Sequence, residues 1–518
     1  MVRVVGALEE LILGFLGDQG LKARVYFFKP SQEHFLLSSS MSIGTVRFVK
    51  NQEQAVVDYL DQNFSVFLED LKTLVRIPSV SFPGFPEEAL HESAEAVASL
   101  LKSSGLENVK LMTLPGAFPY IYGERLKAPG KPTLLLYAHH DVQPPGRTEL
   151  WETPPFEPIE KEGPCGTRLY GRGTADDKAG IVVHTSAIGA YLKVVGELPL
   201  NVKVIIEGEE EIGSSHLSEF LKKYRNELQA DILVLTDTGN FDCGIPALTV
   251  SLRGMVGVEV EVRALNKTVH SGMWGGPLPD PAQGLSKMLA SLVDSTGQIA
   301  IPGVLEQVRP LSPEEKRDFE KVPYNEQEFR KQSGILPEVP LLKSQVPPVI
   351  QVWRLPSLTV NAIQASSRQQ PGNVINDSAW ARLTIRLVAD MDPQFVFQAL
   401  ESHLRKNLPW GLDLQIKTDA LTPPWSTPGK GLAFEIAENA LEKGYGQAPI
   451  KIGSGASIPF VKPFAEALGE APTLLIGVED PYTNAHGENE SVLLSDLRSA
   501  CKSQVYLFAE LAERWQKS

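Results

Sequence analysis

Two patterns of hydrophobic and polar positions alternate along the chain. Short apolar, β-branched runs at 133–137, 202–206, 232–235 and 473–478 each have the length of one buried strand. Between and around them, apolar residues recur at helical spacing over 53–76, 88–103, 179–194 and 217–227, and Pro78 stops the first of these helices. Strand and helix in alternation predict an α/β domain with a mostly parallel sheet covered on both faces. From Leu248 the pattern changes: LTVSLRGMVGVEVEVRA alternates strictly, as an antiparallel sheet with one solvated face does. A helix is expected over 281–294, a Pro- and charge-rich insertion occupies 302–348, and alternation resumes at SLTVNAI and WARLTIRLV. The segment TPPWSTPGKG reads as a linker back to the first pattern. The expected architecture is a discontinuous α/β domain over 53–247 and 418–518, interrupted by an inserted α+β domain over 248–417.

Composition narrows the classes. A chain of 518 residues exceeds one ordinary core, and 42% hydrophobic with 22% charged residues is the make-up of a soluble globular protein. A formal charge of -14 argues against nucleic acid as a partner and favours small solutes. Residues 1–52 form an extension of unassigned role, and Met41 is read as the natural start. The apolar run 11–16 is too short to span a membrane, and with Arg3 as its one early positive charge it makes a poor signal peptide. No membrane partner is expected. Cys165, Cys243 and Cys501 are odd in number, far apart and form no CxxC, so neither a disulfide framework nor a thiolate zinc site is indicated; a cytoplasmic setting is the expectation.

The chemistry collects where the apolar runs end. The first stops at His139, His140 and Asp141, the second at Glu207, Glu209, Glu210 and Glu211, and the third at Asp237. The fourth is followed by EDPYTNAHGEN with His486. In open α/β sheets, ligands gather outside the carboxyl ends of the strands. Acids delivered there from several strands would repel one another unless cations lay between them, which points to a metal site. His139 can bind metal through one ring nitrogen while Asp141 orients the ring, and His140 should point away. Asp176 and Asp177 precede a helix; Asp177 suits the helix dipole, and Asp176 suits a carboxylate shared by two ions. Among the adjacent glutamates one can bind metal while its neighbour moves protons, and spacing alone does not say which.

The motifs YAHHDVQP, LYGRGTADDKAG, EGEEEIGS, LTDT, VHSGMWGG, VNAI, IRLVADMDP, GASIPF and NAHGENE run in order from about residue 53 onward. In them the chain resembles the carnosinase-type dipeptidases of the di-zinc metallopeptidase family that includes aminoacylase and glutamate carboxypeptidase. The resemblance implies that the discontinuous domain is catalytic and the inserted one a lid and dimerisation domain. It implies two divalent ions, zinc before manganese or cobalt, one held by His139, Asp176 and Asp237 and the other by Asp176, Glu211 and His486. Glu210 would be the general base for a water between the ions. His270 would reach across a homodimer to stabilise the oxyanion. Arg386 would grip the substrate carboxylate, a geometry that a guanidinium fork suits, and Asn361, Gly455 and Ser457 would complete that pocket.

The activity implied is metal-dependent hydrolysis of a small peptide substrate, a dipeptide or short peptide with a free C-terminal carboxylate. An N-acyl-amino-acid deacylase or desuccinylase would need the same machinery. A non-catalytic metal- or peptide-binding relative would be expected to have lost the base or a ligand, and none is missing here.

Overall fold

The computed structural model describes residues 52–342, 344, 346–369, 371–455, 458, 460–469 and 471–516. The expectations for residues 1–51 lie outside these. The first helical pattern is realised in two pieces, 52–62 and Phe64–Val75, separated at Asn63. The Asn63 side-chain amide donates to the Tyr59 carbonyl at 2.8 Å, a local bond that competes with helix continuation. Leu68, Leu71, Leu74 and Val75 are buried on one face of the second piece.

The site rests on a large mixed sheet. Its order is Glu107–Met112, Tyr120–Arg125, Asn201–Glu207, Thr133–His139, Ile232–Gly239, Thr473–Glu479, Ala247–Leu252 and Trp425–Ser426, with Ile450–Ser454 also paired to Ala247–Leu252. The four strands from Asn201–Glu207 to Thr473–Glu479 are parallel to one another, and antiparallel strands flank them. Both faces are covered, which is why these strands are written as continuous apolar runs. Leu134, Leu136, Val202, Val204 and Val234 pack on the side of helices Lys178–Val194 and Leu494–Arg514. Leu135, Tyr137, Ile205 and Leu233 pack against Phe220, Phe460 and Phe464 on the other.

A second sheet is wholly antiparallel, ordered Ser357–Gln364, Ser378–Leu387, Gly254–Arg263, Asp413–Thr422. It has its own core, in which Val256, Val258, Val260, Leu383 and Ile385 meet helices Pro281–Ala290 and Pro393–Lys406 through Leu285, Met288, Val396 and Leu400. The alternating run from Leu248 therefore divides. Ala247–Leu252 belongs to the large sheet and Gly254–Arg263 to the second. At the joint, a Cβ on Gly254 would run into the Thr422 carbonyl, so only glycine fits there. The 302–348 insertion contains short helices, Pro313–Phe319 and Glu326–Ser333, the first closed by a Ser312/Glu315 capping box.

One expectation is overturned. Cys165, at the tip of the Ile159–Gly163/Gly166–Tyr170 hairpin, is joined by a disulfide to Cys243, 78 residues away, with Cα atoms 6.4 Å apart. The long separation hid the pair, because spacing shows only local frameworks and tertiary folding brings these loops together. Cys501 is buried and free.

Candidate active site

The parallel register sets the site. His139 pairs with Glu207 in the neighbouring strand, and Tyr137 pairs with Leu235, two residues before Asp237. The strands thus end together, and their polar continuations share one edge. The imidazole of His139 is fully buried. Its Nδ1 lies 3.0 Å from the Asp141 carbonyl. Its Nε2 lies 3.1 Å from Asp176 Oδ1, 3.7 Å from Asp237 Oδ1 and 3.9 Å from Glu210 Oε2. The other oxygen of Asp176 is 3.0 Å from His486 Nε2, which lies 3.4 Å from Glu211 Oε2. Two trios result, His139 with Asp176 and Asp237, and Asp176 with Glu211 and His486, and in each trio one donor atom per residue lies within 4.8 Å of the others. Asp176 belongs to both, one oxygen to each side.

The acids crowd one another here. Burial, then the neighbouring carboxylates, push Glu210 and Glu211 well above the usual carboxylate range, and burial raises Asp237 against the opposing pull of His139. For Asp176 burial also pushes upward, but the bonds to His139 and His486 outweigh it and hold the carboxyl well below that range. Crowded, mostly buried acids with two imidazoles are a donor set that fits hard or borderline divalent cations.

Around this cluster the chain builds a support that the motifs do not reveal. Asp141 does more than face His139, whose Nδ1 is 3.4 Å from its Oδ1. Asp141 Oδ2 accepts from Ser81 Oγ at 2.7 Å and the Glu211 N–H at 3.0 Å, and its Oδ1 accepts from the Glu210 N–H at 3.2 Å. One carboxylate thus fixes the strand end and both glutamates. Gln143 holds the Glu211 carboxylate through its backbone N–H at 3.1 Å and Nε2 at 2.7 Å. Glu490, fully buried, accepts from the N–H groups of Gly173, Ala175 and Asp176 at 3.1, 3.1 and 3.2 Å and from Arg172 Nη1 at 2.6 Å. It ties the His486 loop to the Asp176 loop. Ser491–Leu493, which follows it, pairs with Gly166–Tyr170. Only its place in the same acidic motif as His486 hinted at Glu490.

The remaining acids turn elsewhere. Glu207 and Glu209 share the Tyr120 hydroxyl, each at 3.0 Å, and Glu209 lies 2.9 Å from His216 Nδ1. His140 faces Ser93 Oγ and the Pro119 carbonyl, both at 3.1 Å, and burial pulls its pKa down to about 4. Asp177 stands at the N-cap of Lys178–Val194 without a side-chain cap bond; it accepts the His139 N–H at 3.3 Å instead.

The other candidates are not in the cluster. His270 is exposed, and its Nδ1 accepts from the Gly272 N–H at 3.0 Å. Arg386 lies in the second sheet opposite Ser357, and burial lowers its pKa. Beside it stands Arg253, whose Nε donates to the Gly455 carbonyl and Nη1 to Ser357 Oγ, both at 3.1 Å. Asn361 is exposed where the register of the Ser357–Gln364 edge strand shifts. Ser457 lies outside the described residues.

With this geometry in hand, comparison with known proteins identifies the group. The profile of peptidase family M20/M25/M40 matches residues 135–510. The chain belongs to this M20 peptidase family. It is 32% identical over 404 residues to a cysteinylglycine-S-conjugate dipeptidase of Corynebacterium striatum, covering 77% of this chain and 86% of that one. It is 29% identical over 482 residues to the human Beta-Ala-His dipeptidase, covering 89% and 93%. Among solved structures, the di-peptidase Dug1p of Saccharomyces cerevisiae superposes with a TM-score of 0.79 at 26% identity, covering 89% of this chain and 99% of that one. M20 metallopeptidases bind divalent metal ions, and the two trios fit that requirement. No helix among the described residues is long and apolar enough to cross a membrane.

Proposed function

We propose that this M20 peptidase cleaves the amide bond of dipeptides or short peptides that carry a free C-terminal carboxylate. The observation that carries the reading is Asp176, whose two oxygens serve two ligand trios with the Glu210 carboxylate alongside. His139, Asp176 and Asp237 would hold one ion and Asp176, Glu211 and His486 the other. Zinc suits these donors best, and manganese or cobalt would accept the same set. When bound, the ions would supply an acidified water and polarise the scissile carbonyl. Glu210 takes the proton from the attacking water and returns it to the leaving amine; its carboxylate, 3.9 Å from His139 Nε2, lies beside both trios. Asp141 orients His139 and both glutamates. Arg386 pairs with the substrate carboxylate, with Asn361, Gly455 and Ser457 around it.

His270 stabilises the oxyanion from the second copy of a homodimer. Its neighbours Met273 and Trp274 are 76% and 51% exposed, and Ile363 on the edge strand is 62% exposed, which favours a covering partner. The catalytic unit is residues 53–247 with 418–518, and 248–417 is the inserted lid and dimerisation unit; strand pairing would move the first joint to Gly254. The cytoplasmic setting expected from the cysteines loses that support, since a Cys165–Cys243 bond fits an oxidising compartment.

The test is hydrolysis of Ala-Ala, Gly-Leu, β-Ala-His, N-acetyl-Met and an N-succinyl amino acid by chelated enzyme resupplied with zinc or manganese. Cleavage of the dipeptides alone is expected. Cleavage of the acyl amino acids alone would replace this reading with a deacylase. Glu210→Gln should lower kcat by about 10²- to 10⁴-fold while metal remains bound, and undiminished kcat would refute its role.

A further inference from the structure

We propose that a cavity outside the hydrolytic site, between the 302–348 insertion and the edge of the large sheet, binds a small amphipathic carboxylate through Arg354 and an aromatic wall. The cavity is about 360 Å³, at the small end of the range for ligand sites. Phe319 and Trp353 line it beside Ile452, and Arg354, Lys430 and Lys451 bring positive charge. The acids nearby are already engaged. Glu314 pairs with Lys430 at 2.6 Å, and Glu315 accepts from Arg309 Nη2 and Nη1 at 2.7 and 2.9 Å. Lys451 pairs with Glu438 at 2.6 Å.

Arg354 is held more loosely, by the same Glu315. It is 9% exposed, and its ion pair with Glu315 is long at 3.6 Å, beyond hydrogen-bond reach, which leaves the terminal nitrogens of the fork for the cavity. A buried guanidinium with unused donors favours an acceptor that is anionic and planar, since the fork matches a carboxylate. The adjoining Phe319 and Trp353 rings, with centroids 6.2 Å apart, offer an apolar body its contact. With Arg309, Lys430 and Lys451 already paired to acids, Arg354 is the charge left for a ligand, which matches a single carboxylate. The site is separate from the hydrolytic machinery but shares a wall with it. Trp353 packs where a Cβ on Gly453 would fall, and Val352 where one on Gly455 would, at 2.7 and 2.9 Å.

The probe is 3-phenylpropionate, titrated calorimetrically into the full-length metal-loaded protein carrying Arg386→Met, so that the proposed substrate fork does not compete. Saturable one-to-one binding is expected. Adding Arg354→Met should weaken it about tenfold or more, the loss of a charge-assisted bond. Phe319→Ala should weaken it while leaving all charges in place. In the otherwise wild-type protein, Arg354→Met should keep its kcat/KM for dipeptides, whereas Arg386→Met should raise KM. Absence of saturable binding at millimolar probe, or equal affinity with folded Arg354→Met, overturns the proposal. If Arg354→Met does not fold, unchanged affinity in Phe319→Ala overturns it. Loss of dipeptide turnover throughout the panel with cavity binding intact would instead count against the hydrolytic reading alone.

Discussion

Replacing Asp141 by Asn tests the support beneath the cluster. The wild-type carboxylate accepts from Ser81 Oγ at 2.7 Å, Glu211 N at 3.0 Å and Glu210 N at 3.2 Å, and its Oδ1 is 3.4 Å from His139 Nδ1. Asparagine keeps the shape but offers one oxygen and one NH₂. If the oxygen stays with Ser81 and Glu211, the NH₂ faces the Glu210 N–H, donor against donor. One bond to a charged group, about 1.5–3 kcal/mol, is lost, and the negative charge that favours His139 with Nδ1 protonated and Nε2 free for metal is gone. About 2 kcal/mol is about 30-fold in an equilibrium constant, inside the roughly 10- to 100-fold range for groups that orient metal ligands. The assay is zinc affinity by competition with a chromophoric chelator, with kcat on Ala-Ala at saturating metal. Weakening of affinity in that range with a parallel fall in kcat is expected. Affinity and kcat both within about twofold of wild type would refute the assignment of Asp141 as the orienting group.

Other positions give independent readouts. Glu490→Gln leaves the buried Arg172 guanidinium, 1% exposed, without its anion; unfolding in urea should show a loss of about 3–5 kcal/mol, and a loss below about 1 kcal/mol would contradict the clamp. Burial pushes Glu207 up to about 7 from 4.5, with bonds from the Tyr137 and Tyr120 hydroxyls only partly offsetting it. An acid raised on folding stabilises the protein below about pH 4.5, and that contribution is lost as pH rises through about 7. Measured across that window, Glu207→Gln should gain about 3 kcal/mol relative to wild type, at about 1.4 kcal/mol per unit; a constant difference would show that Glu207 does not titrate in this way. Thiol titration of the denatured, unreduced protein should find one reactive cysteine, Cys501, and three would show that Cys165 and Cys243 are unpaired.

Strand ends were legible in the sequence because burial on both faces leaves no choice of residue until the strand leaves the core. The change from Tyr137 and Ala138 to His139, or from Ile206 to Glu207, is therefore abrupt. Four of the five ligand candidates and Glu210 follow those breaks, and the fifth, Asp176, precedes helix Lys178–Val194. What periodicity does not encode is pairing at a distance. Ser81 meets Asp141 from 60 residues away, and Glu490 meets Asp176 from 314. Neither contact leaves a trace in local spacing. The same holds for Cys165 with Cys243, and for Ala247–Leu252, whose alternation resembles that of Gly254–Arg263 although the two strands lie in different sheets. The break at Asn63 was missed for another reason: the apolar stripe continues through it, and the Tyr59 carbonyl accepts there from both the backbone N–H and the side-chain amide of Asn63.

The role proposed for Asp176 is to join two metal sites. It is tested most directly by counting zinc bound to chelated protein after titration and gel filtration, for wild type, Asp237→Asn and His486→Ala. Two ions per chain in wild type and one in each variant, with Asp176→Asn weakening both, is the expected result. One ion or none in wild type, or two retained in both single variants, would contradict the shared-carboxylate site.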